Sequence, residues 1–128
     1  MNNSIIDLVI RIKNGYLGKK DKIESPYSKL REEVLKKLAA LGYIQGYQVE
    51  KGKIKKISIE LMYEGDQAVF TDLKIYSKPG RKWYVTVKDI KPVLAGLGAS
   101  ILSTPKGILT NQEAKKEHTG GELLFEIW

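Results

Sequence analysis

The sequence predicts an α+β fold built as two small lobes, and three observations carry that expectation. The stretch SKLREEVLKKLAALG, residues 28–42, places Leu30, Val34, Leu38 and Leu41 on one helical stripe. KISIELMY, residues 56–63, alternates strictly, with Ile57, Ile59, Leu61 and Tyr63 on one side as in a half-buried strand. After the polar turn EGDQ (Glu64 to Gln67), apolar runs become short and strand-like. The expected division is an N-terminal α-β-α-β-β lobe over residues 1–66 and a mainly β lobe with short helices over residues 67–128.

Taken in order, SIIDLVIRIKN (residues 4–14) suits a helix capped by Ser4 and stopped by Gly15, although its dense β-branched run also suits a buried strand. KIE, residues 22–24, is a short strand ended by Pro26. The helix begins at Ser28 and ends at Gly42, with its charges alternating on a solvated outer face. YIQGYQVE and KISIELMY are strands joined by a lysine-rich glycine turn, KGKIK. AVFTDLKIYS and RKWYVTV are strands broken by KPG (Lys78 to Gly80), with Tyr84 on the face opposite Trp83, Val85 and Val87. KDIKPVLAGLG reads as a short helix that tolerates Pro92 in its first turn. ASILST is a strand, Thr110 and Glu113 form a capping box for NQEAKKEHTG, and GELLFEIW is the final strand.

The chain of 128 residues has 22 Lys+Arg against 15 Asp+Glu, a net charge of +7. Residues 1–64 hold 13 basic and 8 acidic groups, and residues 65–128 hold 9 and 7, so the surplus lies mainly in the first half. Such a surplus favours polyanionic partners, because each neutralised phosphate releases counterions. No run approaches the ~18 apolar residues that cross a bilayer. The opening residues lack the basic region and cleavage site of a signal peptide. The absence of cysteine fits a reducing compartment, so a cytosolic address is the default expectation.

Catalytic chemistry finds no support. The one histidine, His118, sits where a charge complements a helix C-terminus, and with no cysteine there is no zinc-ligand set. STPKG lacks the spacing of a phosphate loop, and GLGAS lacks both the third glycine and the following helix of a dinucleotide site.

The turn STPKG instead suits RNA. The hydroxyls of Ser103 and Thr104 donate and accept, Pro105 limits loop freedom, Lys106 supplies a cation, and Gly107 permits close approach to the backbone. TGGE adds two glycine amides and the carboxylate of Glu122. SKPGRKWY combines Lys78, Arg81 and Lys82 with Tyr84, a ring on which a base can stack. Each of these segments also reads as an ordinary strand-connecting turn.

STPKGILTNQEAKKEHTGGELLFEIW resembles the C-terminal signature of the bacterial small-subunit ribosomal protein eight family: a hydroxyl-rich Lys-Gly turn, a Thr-initiated helix, then Gly-Gly-Glu entering a last strand. IIDLVIRIKNGY is similar to that family's first helix, PYSKLREEVLKKLAALGYI to its second, YSKPGRKWY to its Ser-Arg-Pro-Gly segment, and VLAGLGASILST to the approach to the signature. The resemblance implies a non-catalytic primary rRNA-binding protein of the cytoplasmic ribosome. It would bind an irregular helix in the central domain of small-subunit rRNA and help assemble the platform. Carried over by motif, Ser103, Thr104, Lys106 and Gly107 would line the minor groove, Gly120, Gly121 and Glu122 would support that surface, and Tyr84 would lie beside it. Arg11, Lys13, Asn14, Ser28 and Lys29 would meet phosphates. Implied partners are neighbouring small-subunit proteins, protein five among them, and in some members the protein's own messenger RNA. No cofactor, metal or membrane is implied, and the chain would be a monomer off the ribosome.

Three positions depart from the family pattern. Pro105 stands in place of a serine, Lys78 in place of a frequent arginine, and Arg81 where an apolar residue is usual. Trp128 reads as a packing residue. Two competing classes are a basic protein-interaction module without RNA readout and a nucleic-acid-processing enzyme. The absent acid-base cluster argues against the second, and the spread of the resemblance over the chain against the first.

Overall fold

Helix α1 runs over Asn2–Leu17, past both ends of the expected span, in a computed structural model that describes residues 2–128. Ser4 and Gly15 therefore lie inside the helix and are not its cap and stop. Gly15 is a packing residue: a Cβ there would stand 2.7 Å from Cγ2 of Ile23 and 2.9 Å from Cδ1 of Leu61. Ile5, Leu8, Val9 and Ile12 are buried as one stripe, so the three- and four-residue recurrence decides for helix over strand.

Strand β1 (Lys22–Pro26), helix α2 (Lys29–Leu41), β2 (Gly46–Glu50) and β3 (Lys56–Glu60) follow. The strands form an antiparallel sheet in the order β1-β3-β2, with Ile57 and Ile59 fully buried. Ser28 caps α2 by accepting the Arg31 N–H at 3.1 Å, and Gly42 ends it at φ 84, a left-handed value that glycine adopts freely. The buried stripe is Val34, Leu35 and Leu38, while Leu41 is 40% exposed.

Arg31 corrects the reading of α2's charges as a solvated face. It is 8% exposed. Its Nε donates to Ser4 Oγ at 3.0 Å, and its Nη1 donates to Asp7 Oδ2 at 2.8 Å and Ser25 Oγ at 2.6 Å. One guanidinium thus ties α1, β1 and α2 together.

Strands β4 (Tyr63–Glu64) and β5 (Gln67–Ala68) make a two-stranded hairpin whose turn is the EGDQ stretch. Phe70 then packs on Tyr16, ring centroids 4.9 Å apart. The chain divides into two compact units, residues 4–70 and a unit built on residues 71–128, so the division falls slightly beyond the 66/67 boundary expected.

The second unit contains β6 (Leu73–Ile75), β7 (Tyr84–Val85), β8 (Ala99–Thr104), β9 (Gly107–Thr110), helix α3 (Asn111–Lys116) and β10 (Gly121–Ile127). Its sheet is antiparallel. β10 pairs with β6 and β7 along one edge and with β8 along the other, and β9 lies outside β8. Ile90, Leu102, Ala114 and Leu123 form a buried cluster, with Tyr76, Val85 and Leu109 packed against it.

Several expected elements differ. The run 68–77 is not one strand: its start belongs to the hairpin, and Thr71 and Asp72 donate backbone N–H groups to the Trp128 carbonyl. The strand expected over RKWYVTV is confined to Tyr84–Val85. KDIKPVLAGLG is not a helix but two 3-10 turns, Val87–Asp89 and Leu94–Gly96. Pro92 disfavours helical backbone in the residue before it, and Ile90 and Val93 are extended, with both side chains buried. Strand β9 is an element that the sequence reading does not assign, lying between the STPKG turn and the Thr110 cap. The Thr110–Glu113 capping box forms in both directions.

Candidate nucleic-acid interface

The two glycines of TGGE exist for backbone approach, not for open amides. A Cβ on Gly121 would collide with the Ser103 carbonyl oxygen, and one on Gly120 with the Val85 carbonyl oxygen. Only glycine lets β10 enter between β7 and β8 at this spacing. The consequence is a row across three strands: Tyr84 lies opposite Glu122, and Glu122 opposite Ser103. Directly opposed residues of an antiparallel ladder share a face.

The members of that row differ in access. Tyr84 is 66% exposed and Ser103 is half-buried, with a hydroxyl that has no hydrogen-bond partner among the described residues. Glu122 is buried, which corrects its reading as an offered carboxylate acceptor: it lies beneath the surface between its two neighbours. Thr104 is committed to the turn itself. Its hydroxyl donates to the Gly107 carbonyl at 2.8 Å and accepts from the Lys106 N–H at 3.1 Å.

Pro105, Lys106 and Gly107 are exposed at the crest of the β8–β9 hairpin. Gly107 has φ 109 with open space where a Cβ would be, so its backbone, not a neighbour, demands glycine. Lys106 Nζ donates to the Glu117 carbonyl at 3.1 Å beyond the end of α3, an exposed bond that costs little to exchange for a phosphate.

Lys78 and Arg81 close a second turn by exchanging backbone hydrogen bonds of 3.1 and 2.9 Å around Pro79 and Gly80, and both side chains are exposed. Buried Ser77 pins the loop, its hydroxyl accepting the Trp83 N–H at 2.9 Å. A cleft of about 470 Å³ opens beside Tyr84, lined among others by Tyr76, Trp83, Leu102 and Leu123 with Asp89 and Glu126. Lys91 lines it as well, and its rings offer flat faces on which a base can stack.

In the first unit the expected phosphate residues play mixed parts. Arg11 donates from Nε to Asp7 Oδ2 at 2.7 Å and from Nη1 to the Glu24 carbonyl at 3.1 Å, so it is partly spent inside the protein. Burial pushes the Asp7 carboxyl upward, but hydrogen bonds from Arg31 and Arg11 outweigh it and hold the group below its usual range. Arg11 and Asn14 line a groove of about 450 Å³ together with Lys20 and Lys22. Those two lysines were missed, since Lys20 lies in a loop and Lys22 is only the first residue of β1, and neither position carries a periodic signal. Lys13 lies two positions from Arg11 on α1, hence on another side of that helix. Ser28 is occupied as the cap of α2, and Lys29 is exposed beside it.

Among the described residues no helix is long and apolar enough to cross a membrane, and no group of three or more His, Cys, Asp or Glu side chains could hold a metal ion. His118 is exposed beyond α3 with a left-handed φ of 53.

Comparison with known proteins matches residues 3–128 to the family model described as ribosomal protein S8. Curated relatives named "Small ribosomal subunit protein uS8" include that of Caulobacter vibrioides, 45% identical over 130 aligned positions covering 100% of this chain and 98% of the relative. The Brucella melitensis protein is 48% identical, covering 95% and 94%. The Dictyoglomus thermophilum protein is 43% identical, covering 100% and 98%. With a full-length family match and relatives at these identities, the chain belongs to the ribosomal protein S8 family.

Proposed function

We propose that this chain is a structural, non-catalytic component of the small ribosomal subunit in the cytoplasm. In this reading it binds an irregular helix in the central domain of the small-subunit rRNA and helps assemble the platform. The observation that carries the reading is the Tyr84–Glu122–Ser103 row, set beside the exposed Pro105–Lys106–Gly107 crest. RNA helices display 2′-hydroxyls and base edges in a wide, shallow minor groove. A free serine hydroxyl, a glycine-bared backbone and a mobile lysine match those groups, while the exposed Tyr84 ring takes an unstacked base.

The division of labour follows from charge. Lys78, Arg81 and Lys106 in the second unit, with Asn14, Lys13, Lys29 and the partly committed Arg11 in the first, engage phosphates and set position, while Ser103 and Tyr84 select the site. Thr104, Gly120, Gly121, Glu122 and Ser28 hold the shape on which those contacts depend. Neighbouring small-subunit proteins, protein five among them, would pack around the assembled complex. A messenger RNA bearing the same irregular helix would compete for the same row.

Hydroxyl-radical footprinting of a central-domain rRNA fragment tests the reading. Protection concentrated at the minor groove flanking the internal loop is expected. Uniform protection along the helix, or none, would contradict it.

A further inference from the structure

The turn between β2 and β3, with the first residue of β3, reads KGKIKK; it holds four lysines in residues 51–56, and all six residues are exposed. Ile54 at its crest is 81% exposed, so the turn stands clear of the protein surface. The nearby carboxylates are already engaged. Lys56 takes Glu24 at 2.8 Å and Glu50 at 3.8 Å. Glu32 accepts the hydroxyls of Tyr27 and Tyr47, each at 3.2 Å. Lys51 and Lys53 form no ion pair among the described residues. Lys55 lies over the Tyr27 ring, Nζ 4.2 Å from its centroid, and its carbonyl accepts the Tyr27 N–H at 3.3 Å. Tyr27 leads directly into Ser28 and exposed Lys29. The turn and the start of α2 are therefore joined into one basic edge.

Lys51, Lys53 and Lys55, which form no ion pair among the described residues, repel one another, and a polyanion relieves that repulsion. We propose that the Lys51–Lys56 turn is a further RNA contact, in which Lys51, Lys53 and Lys55 neutralise phosphates of a strand that continues past Lys29. It rests on the RNA-binding reading above and extends it to a surface with no base-reading groups. RNA is favoured over an anionic lipid surface because Ile54 is a single apolar residue, far short of the apolar face that interfacial insertion uses.

The test uses the full chain with Lys51→Gln, Lys53→Gln and Lys55→Gln combined, titrated against a central-domain rRNA fragment and a fully paired hairpin over a salt series. The plot of log affinity against log salt should lose about two to three units of slope on both RNAs, with affinity at least about tenfold lower near 0.1 M salt. The ratio of affinities between the two RNAs should be unchanged. Lys51→Gln with Lys53→Gln alone, which removes no intramolecular ion pair, should lose about one to two units of slope. A slope equal to wild type in both variants would overturn the proposal. So would tighter wild-type binding to phosphatidylserine vesicles than to either RNA, abolished by the triple variant. If the wild type shows no preference between the RNAs, the reading row fails, yet the slope comparison still decides the role of the turn.

Discussion

Ser103→Ala and Thr104→Val separate reading through the β8–β9 turn from holding it in shape. Valine keeps the β-branched outline of threonine and puts a methyl group in place of the hydroxyl. That hydroxyl makes two hydrogen bonds, to the Gly107 carbonyl at 2.8 Å and from the Lys106 N–H at 3.1 Å, both in exposed surroundings. At a net ~0.5–1 kcal/mol each, Thr104→Val should cost about 1–2 kcal/mol of stability. For a unit of this size that is a fall of roughly 4–16 °C in the unfolding midpoint of the unit containing the turn. Ser103 makes no such bond, so Ser103→Ala should leave the midpoint within the scatter of surface substitutions, about 0.5 kcal/mol. Binding should respond to both, to Ser103 directly and to Thr104 through the shape of the turn. Ser103→Ala should weaken the rRNA fragment by about 1–2 kcal/mol, and the double replacement Ser103→Ala with Thr104→Ala by about 2–4 kcal/mol. Circular-dichroism melting and fluorescence titration read the two quantities. An Ser103→Ala variant that melts as early as Thr104→Val, or that binds like wild type, would refute this division of roles.

Three further outcomes follow from the packing. Arg31→Met should destabilise the first unit by about 2–4 kcal/mol in urea unfolding, since it removes the donors to the Ser4 and buried Ser25 hydroxyls and one of Asp7's two arginine partners. Arg31→Lys should not restore it, because an ammonium lacks the planar fork. Gly121→Ala should cost about 1–3 kcal/mol by forcing β10 away from β8, and should weaken RNA binding in parallel as the row opens. Stability should also fall in acid. The Asp7 carboxyl is held below its ordinary value of 3.8 in the folded state, so its contribution is present above that value and is lost as pH falls through the lowered one. Asp7→Asn should flatten that part of the profile of urea midpoints measured from about pH 5 to about pH 2.

Much of the fold was legible because it rests on local signals. The capping box of α3, the Ser28 cap, the Gly42 stop and the alternation of β3 are each written within a few residues. What was not legible depends on distant partners. Arg31 looks like any charged residue of α2, and its burial is decided by Ser4, Asp7 and Ser25 on other elements. Gly15 reads as a helix stop until Ile23 and Leu61 are seen against it. Leu94 and Ala95 adopt positive φ inside a stretch that resembles a helix, a choice made by the burial of Ile90 and Val93 around Pro92. At the site, the turn residues were visible as chemistry, but the burial of Glu122 and the packing role of Gly120 and Gly121 come from strand order.

The most direct test of the central claim compares binding of the purified chain to a central-domain rRNA fragment and to a perfectly paired hairpin of equal length, at two salt concentrations. The account predicts a strong preference for the rRNA fragment that survives at the higher salt, because Ser103, Tyr84 and the glycine-bared backbone discriminate without releasing counterions. Equal affinity for both RNAs, collapsing together as salt rises, would leave only a basic surface and contradict the account.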